Sequence, residues 1–148
     1  MQLNREWIAA HIPHQGGMCL LDEVIDWNAV RILCRTATHR APDYPLRAHG
    51  RLGVACGIEY AAQAMALHGA LAGGGAVSQV GLLAGIRAAR FFVLRLDDIE
   101  SDLICEATRL AGDGLTALYE FALRDEGKIL ASGRASVVLN AGNRLQQP

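Results

Sequence analysis

One long apolar stretch dominates the hydrophobic pattern of the chain. It runs from Arg47 to Ala72, RAHGRLGVACGIEYAAQAMALHGALA, and after the turn-forming pair His49-Gly50 it is mostly small and apolar. No proline interrupts it, and its alanines, leucines and methionines favour helix. A surface helix would show a wide polar face, and this stretch does not. The pattern therefore predicts a buried helix that other elements must enclose.

Segments on both sides of this helix are typical of β-strands. A short helix capped by Asn4 is predicted near the start of the chain. Apolar or alternating segments then predict strands, and Trp27-Asn28-Ala29 predicts a hairpin turn between the first two. Asp- and Gly-containing turns at 112–114 and 125–127 predict hairpins between the later ones, so the strands after the long helix are expected to form an antiparallel meander. The triple glycine 73–75 predicts the end of the long helix. The predicted strand regions cover residues 18–27, 30–39, 78–93, 102–111, 115–124 and 128–139.

This order of elements predicts an α+β fold in which a curved antiparallel sheet wraps around one long central helix. With 148 residues, no internal repeat and no linker, the chain is interpreted as one domain, residues 1–148, with a polar C-terminal tail at 140–148. One sheet covers only part of a helix, whereas two sheets side by side hide more. We therefore expect a homodimer.

Composition and charge limit the classes of function. About half of the residues are hydrophobic and the formal net charge is −1, which is typical of a soluble globular protein and gives no basic bias for nucleic acid. The first residues lack the apolar core of a signal peptide, and polar residues within the long helix argue against a membrane span, so we expect a cytoplasmic protein. The four cysteines are widely spaced, without a CxxC pair, and are expected to be buried reduced thiols rather than disulfide or metal ligands.

One acidic side chain within the apolar helix is the first indication of chemistry. Glu59 and Gln63 stand four residues apart and share a helix face. Burying a carboxylate costs free energy unless it is neutral, paired or used in function. Glu59 is therefore a candidate functional residue, with a paired structural carboxylate as the alternative.

Four passages carry a family resemblance. They are Ile12-Pro13-His14 followed by MCLLDEV at 18–24, then His49-Gly50, EYAAQ at 59–63, and AGI with ARF at 84–91. Together they resemble the β-hydroxyacyl-acyl-carrier-protein dehydratases of fatty-acid synthesis, over a core from about residue 12 to about residue 139. The compact AHG before the helix and the IPHQGxM opening are most similar to the ApeP-like dehydratases, which are associated with aryl-polyene pigment biosynthesis.

The resemblance implies the hot-dog fold and the dehydration of 3-hydroxyacyl thioesters, held on acyl carrier protein, to trans-2-enoyl thioesters. His49 would act as the base that removes the C2 proton, since histidine is neutral near pH 7. Glu59 would act as the acid that protonates the leaving hydroxyl, since burial disfavours its charged form. In the family the two residues of one site come from opposite subunits. No metal or other cofactor is implied.

Further site residues are predicted around this pair. Backbone N–H groups near the helix start would stabilise the thioester oxygen. Gln63 would orient Glu59 or a water, while Tyr60 or His68 would line the acyl tunnel; for His68, a surface or core position without a role is the alternative. His14 would shape the pocket mouth or serve only as a structural hydrogen-bonding group. The candidate N–H donors are those of Gly53, Val54 and Gly57.

Carrier-protein docking is assigned to basic residues beside the histidine. Acyl carrier proteins are acidic, so Arg47 and Arg51 are the candidates to contact them.

Two other functions stay open at this point. A hot-dog acyl thioesterase would use nearly the same residues. The ten-residue interval between His49 and Glu59 is shorter than in the housekeeping dehydratases. This departure keeps open a non-catalytic partner subunit of a heterodimeric dehydratase, in which His49 would be only a turn residue.

Overall fold

Six β-strands form one antiparallel sheet, against which a sixteen-residue helix packs. The structure, a computed structural model, describes residues 2–12, 18–72, 82–113 and 115–138. The helices are α1 (Arg5–His11) and α2 (Gly57–Ala72), with short 3-10 turns at Thr38–Arg40 and Val54–Cys56. The strands are β1 (Glu23–Trp27), β2 (Arg31–Thr36), β3 (Leu82–Phe91), β4 (Leu103–Gly112), β5 (Thr116–Asp125) and β6 (Lys128–Val138). The predicted helix-and-sheet architecture is confirmed.

The strand order in the sheet is β1-β2-β4-β5-β6-β3. Strands β4, β5 and β6 form the predicted meander, but β3 pairs with β6 rather than with β4, its successor in the chain. The prediction of a simple meander after the helix was wrong on this point, because alternation identifies strands but not their partners. Strands β1 and β3 are therefore the two edges of the sheet.

Short-range side-chain bonds define several element ends. The Asn4 carboxamide oxygen accepts the N–H of Trp7 at 3.1 Å and caps α1, as predicted. The Asn28 carboxamide oxygen accepts the N–H groups of Val30 and Arg31, each at 2.8 Å, and closes the predicted hairpin between β1 and β2. These polar residues thus fix where the chain reverses.

Helix α2 lies close against the sheet through a glycine. A Cβ atom at Gly57 would meet a terminal methyl of Leu123 on β5 at 2.9 Å, so any larger residue in the first turn of the helix would require the Leu123 side chain to shift. Ten of its sixteen residues are buried. The prediction of a helix buried all round needs a correction, because one stripe is only half-buried in the single chain. That stripe consists of Ile58, Glu59, Ala62, Ala66 and Gly69.

The four cysteines are free thiols, as predicted, and three of them are buried. Burial raises the pKa of the Cys105 thiol to about 12. Within the described ranges, no helix has the length and apolar character to cross a membrane.

Candidate active site

His49 occupies the tip of a two-residue turn. Ala48 and Arg51 exchange backbone hydrogen bonds of 2.8 and 3.0 Å, and the two residues between them, His49 and Gly50, have φ values of 53° and 75°. Positive φ at both central positions marks a type I′ turn, the tightest way to reverse an antiparallel pair. The turn therefore presents the His49 side chain outward, and His49 is exposed in the single chain.

Arg47 braces this turn from beneath. Its guanidinium donates from Nη1 to the Gly50 carbonyl at 3.2 Å and from Nη2 to the His39 carbonyl at 3.1 Å. Nη1 also lies 4.0 Å from a carboxylate oxygen of Asp97, and only 13% of the Arg47 side chain is exposed. Arg47 was predicted to dock a carrier protein, and the structure gives the same side chain a structural task. Arg51 is exposed, as a docking residue must be.

Asp97 connects Arg47 to the backbone that leads into α2. Its carboxylate accepts the N–H of Leu52 at 2.9 Å and the Arg95 guanidinium, whose Nε lies at 3.0 Å. Bonds from Arg95 hold the pKa of the Asp97 carboxyl well below its usual range, so the group is ionised at neutral pH. Asp97 was not among the predicted site residues, because a lone aspartate in the irregular segment after β3 carries no spacing signal.

Two of the three predicted oxyanion donors are already occupied. The Val54 N–H donates to the Leu94 carbonyl at 3.1 Å, and the Gly57 N–H bonds within its own turn to Val54 and Ala55 carbonyls. Gly53 and Arg95 lie opposite each other in an antiparallel bridge. One of the two flanking hydrogen bonds joins Val54 to Leu94, and the other joins Leu96 to Leu52. In such a non-hydrogen-bonded pair the N–H of Gly53 points away from Arg95. Among the residues that the structure describes, Gly53 is therefore the predicted donor whose N–H has no partner.

Glu59 lies in the first turn of α2, ten residues after His49, and it is half-buried. Within the described ranges its carboxylate makes no ion pair and shares no hydrogen bond with His49. Three other half-buried residues on this face, Ala62, Ala66 and Gly69, are small, and a Cβ at Gly69 would meet no atom within 4 Å. The helix surface that follows Glu59 is therefore formed by short side chains.

Gln63 holds another part of the chain. It is fully buried, its amide oxygen accepts the N–H of Leu20 at 2.9 Å, and its amide nitrogen donates to the Met18 carbonyl at 2.6 Å. These bonds hold the segment Met18–Leu20, which follows the IPH motif, against α2. Both of these partners of the Gln63 amide are backbone groups. That Gln63 orients Glu59 or a water stays a prediction.

The same segment is anchored by side chains that the sequence analysis did not single out. Thr36 and Thr38 donate to the Leu20 carbonyl at 2.6 and 2.7 Å, and Tyr44 donates to the Cys19 carbonyl at 2.7 Å. The Tyr60 hydroxyl lies 3.0 Å from the Thr38 hydroxyl and Tyr60 is fully buried. Its hydroxyl is thus committed to this network, which corrects the prediction that Tyr60 lines a tunnel. Sequence patterns could not reveal a network whose members lie on separate elements.

His68 is also a buried structural residue. Its Nε2 lies 2.9 Å from the Asn28 carbonyl, which can only accept, so Nε2 carries the proton and Nδ1 accepts from the Tyr119 hydroxyl at 2.7 Å. Burial lowers the pKa of His68 and raises that of Tyr119 to about 12. This environment corrects the tunnel prediction for His68. His14 lies outside the described residues.

A family model matches most of the chain. The model describes the ApeP-like dehydratases, ApeP dehydratase, and it aligns with residues 6–147. The chain belongs to the ApeP-like dehydratase family. Both the predicted resemblance and the predicted reaction class, dehydration, are confirmed at the level of the family. Among curated protein sequences, none matches at a significant level.

Solved structures with the same fold support the architecture. A chain of the dehydratase heterocomplex ApeI:P from Xenorhabdus doucetiae superposes with a TM-score of 0.79 at 23% identity, covering 95% of this chain and 97% of that chain. Thioesterase HI1161 from Haemophilus influenzae gives 0.58 at 14% identity, covering 79% of this chain and 76% of that one. A mutant of thioesterase PA1618 from Pseudomonas aeruginosa gives 0.57 at 12% identity and 79% coverage of both chains. The hot-dog fold is thereby confirmed for this ApeP-like protein.

Proposed function

We propose that this ApeP-like protein dehydrates 3-hydroxyacyl thioesters carried on acyl carrier protein, in fatty-acid or aryl-polyene biosynthesis, with His49 and Glu59 as the catalytic pair. The observation that carries the proposal is the placement of the two side chains. An exposed histidine stands at the tip of a two-residue turn, and a half-buried glutamate, with no ion-pair partner among the described residues, lies in the first turn of the helix that follows. Membership of the dehydratase family supports the reaction class. A cytoplasmic location, as predicted, is consistent with this substrate.

The two groups have complementary tasks in the reaction. His49 takes the C2 proton of the 3-hydroxyacyl thioester, and the electron pair of that C–H bond forms the C2–C3 double bond. The C3–O bond breaks, and the leaving hydroxyl takes a proton from Glu59 to depart as water. The Gly53 N–H supports the thioester oxygen while charge builds there. Return of the proton from His49 to Glu59 restores the site, so no cofactor is consumed.

A second hot-dog subunit completes the site in this proposal. Strand β3 is an edge strand, and the apolar side chains that end it and follow it are exposed, with Phe92 54% and Leu94 91% exposed. The half-buried stripe of α2 is likewise uncovered, so the desolvation that an acid role for Glu59 requires must come from a partner. We assign a homodimer as the partner arrangement. The similar ApeI:P heterocomplex makes a heterodimer with another hot-dog subunit the alternative.

The acyl carrier protein would approach the exposed rim of the His49 turn. Arg51 is exposed there and supplies positive charge for an acidic partner. The expected effect of Arg51→Glu is a higher KM for a carrier-bound substrate and an unchanged KM for a small thioester. An equal loss on both substrates would remove docking as its role.

The testing experiment is a mass-spectrometric assay of a 3-hydroxyacyl carrier protein with wild type, His49→Ala and Glu59→Gln. We expect wild type to remove one water and both variants to lose that activity. His11→Ala and Glu6→Gln, which change the same residue types on α1, serve as matched controls and should dehydrate normally. Release of a free acid by wild type would instead identify a thioesterase.

Mixing the two inactive variants tests the shared site. If His49 and Glu59 of one site come from opposite subunits, a mixed dimer has one intact site, and an equal mixture recovers about one quarter of wild-type activity from random pairing of two-fold dimers. No recovery after subunit exchange would place both residues in one subunit. An inert wild type that gains activity only with a second hot-dog protein would support the partner-subunit alternative.

A further inference from the structure

We propose that Arg47 is a positioning residue that fixes the His49 turn for proton abstraction, acting with Asp97. The inference rests on the proposed function, because it assigns a task toward the catalytic histidine. It departs from the docking role predicted for Arg47 from the sequence.

The contacts of Arg47 converge on the turn rather than on solvent. One arm of its guanidinium binds the Gly50 carbonyl, which belongs to the residue directly after His49, and the other binds the His39 carbonyl in the 3-10 turn Thr38–Arg40. His39 is itself fully buried, and its Nε2 donates to the Ile99 carbonyl at 2.9 Å. The His49 turn is therefore tied through Arg47 to a fixed part of the core.

Asp97 contacts both Arg47 and the residue that follows the turn. Its side chain is only 5% exposed, and it accepts the Leu52 N–H directly after the turn while lying 4.0 Å from Arg47. The two ends of the turn, Arg47 before it and Leu52 after it, thus meet one buried carboxylate. A turn of two residues has few contacts of its own, so these bonds determine where its tip stands.

The shape of the guanidinium, not only its charge, is required for this role. Two donors on separate nitrogens reach two carbonyls and a carboxylate at once, which a lysine ammonium on a flexible stem cannot reproduce in the same geometry. Misplacing a reacting group by about 1 Å costs on the order of 100-fold in rate. Positioning and docking therefore predict different outcomes for the charge-conserving Arg47→Lys variant.

The experiment measures kcat, KM and amide hydrogen exchange for Arg47→Lys and Asp97→Asn, on the full chain in its active assembly. We expect Arg47→Lys to lower kcat about 10- to 100-fold with KM nearly unchanged, and to speed exchange of the Ala48 and Arg51 amides. Asp97→Asn keeps an acceptor for Leu52 and should show a smaller loss of the same kind. Glu106→Gln, which loses ion pairs to Arg31 and Arg124 elsewhere on the sheet, is the matched control and should leave kcat unchanged.

The outcomes separate this inference from the proposed function. Wild-type kcat and wild-type exchange in Arg47→Lys would overturn the positioning role, as would a rise in KM alone, which is the docking result. If wild type dehydrates no substrate, the proposed function fails, and the exchange rates alone decide whether Arg47 holds the turn. Normal exchange in that case also overturns the inference.

Discussion

Replacing Gln63 by methionine tests how the segment after the IPH motif is held. Methionine has nearly the same length and fills the same buried space, but it can neither donate to the Met18 carbonyl nor accept the Leu20 N–H. The two bonds are 2.6 and 2.9 Å long, and Leu20 is fully buried. The substitution thus leaves a backbone donor without its partner in the core, together with the Met18 carbonyl.

The expected loss of stability follows from these two groups. A buried polar group left without its partner costs about 1–3 kcal/mol, and the methionine side chain offsets part of the sum through apolar contacts. We expect the free energy of unfolding to fall by about 2–4 kcal/mol. For a domain of this size that corresponds to a decrease in Tm of about 5–15 °C. Such a loss is a large part of the total stability of an ordinary domain.

The assay is thermal and urea unfolding at one fixed protein concentration, since any association would shift Tm. Tyr44→Phe is the matched comparison, because the Cys19 carbonyl that Tyr44 binds also accepts Arg5 at 2.5 Å and stays paired. It should cost only about 0.5–1.5 kcal/mol. A Gln63→Met protein as stable as wild type, or no more affected than Tyr44→Phe, would refute the reasoning.

Two further predictions concern histidines. His49→Asn should keep the turn, since asparagine tolerates positive φ; we expect an unchanged Tm and abolished dehydration, and retained activity would mean that His49 is only a turn residue. Burial lowers the pKa values of His39 and His68. As the pH falls below about 6.5, these two histidines therefore bind protons in the unfolded chain before they do so in the folded protein. The free energy of unfolding should therefore keep its full value above that pH. At lower pH it should decrease, by at most about 1.4 kcal/mol per pH unit for each histidine. Urea unfolding at several pH values should show a shallower dependence in His68→Gln, and equal slopes would contradict the assignment.

Local patterns predicted the elements well because they depend on neighbouring residues. Asn4 and Asn28 cap and turn the chain with side chains that reach only two or three residues along it. The long apolar stretch likewise marks α2, although the helix begins at Gly57 rather than directly after His49-Gly50. The intervening residues instead pair with 94–96, and that pairing has no local signature.

The site was harder to predict because its supports are distant in sequence. Glu59 became a candidate because it lies in an apolar run, whereas the resemblance supplied His49 and the predicted roles of both residues. Arg47 was selected for docking because it is a basic residue beside the turn, but a charge count cannot distinguish a largely buried guanidinium from an exposed one. Asp97 and the Thr36–Thr38 pair contact the site region only after the sheet has formed.

The anchoring of Met18–Leu20 also has a consequence for the order in which the chain folds. Gln63 and Tyr44 reach this segment across 43, 45 and 25 residues of sequence, so each bond closes a long loop. Closing loops of this length costs entropy before the contact forms, so we expect these bonds to form after the local hairpins β4–β5 and β5–β6 during folding. Substitutions of Gln63 or Tyr44 should then raise the unfolding rate more than they lower the folding rate, and so shorten the lifetime of the folded molecule.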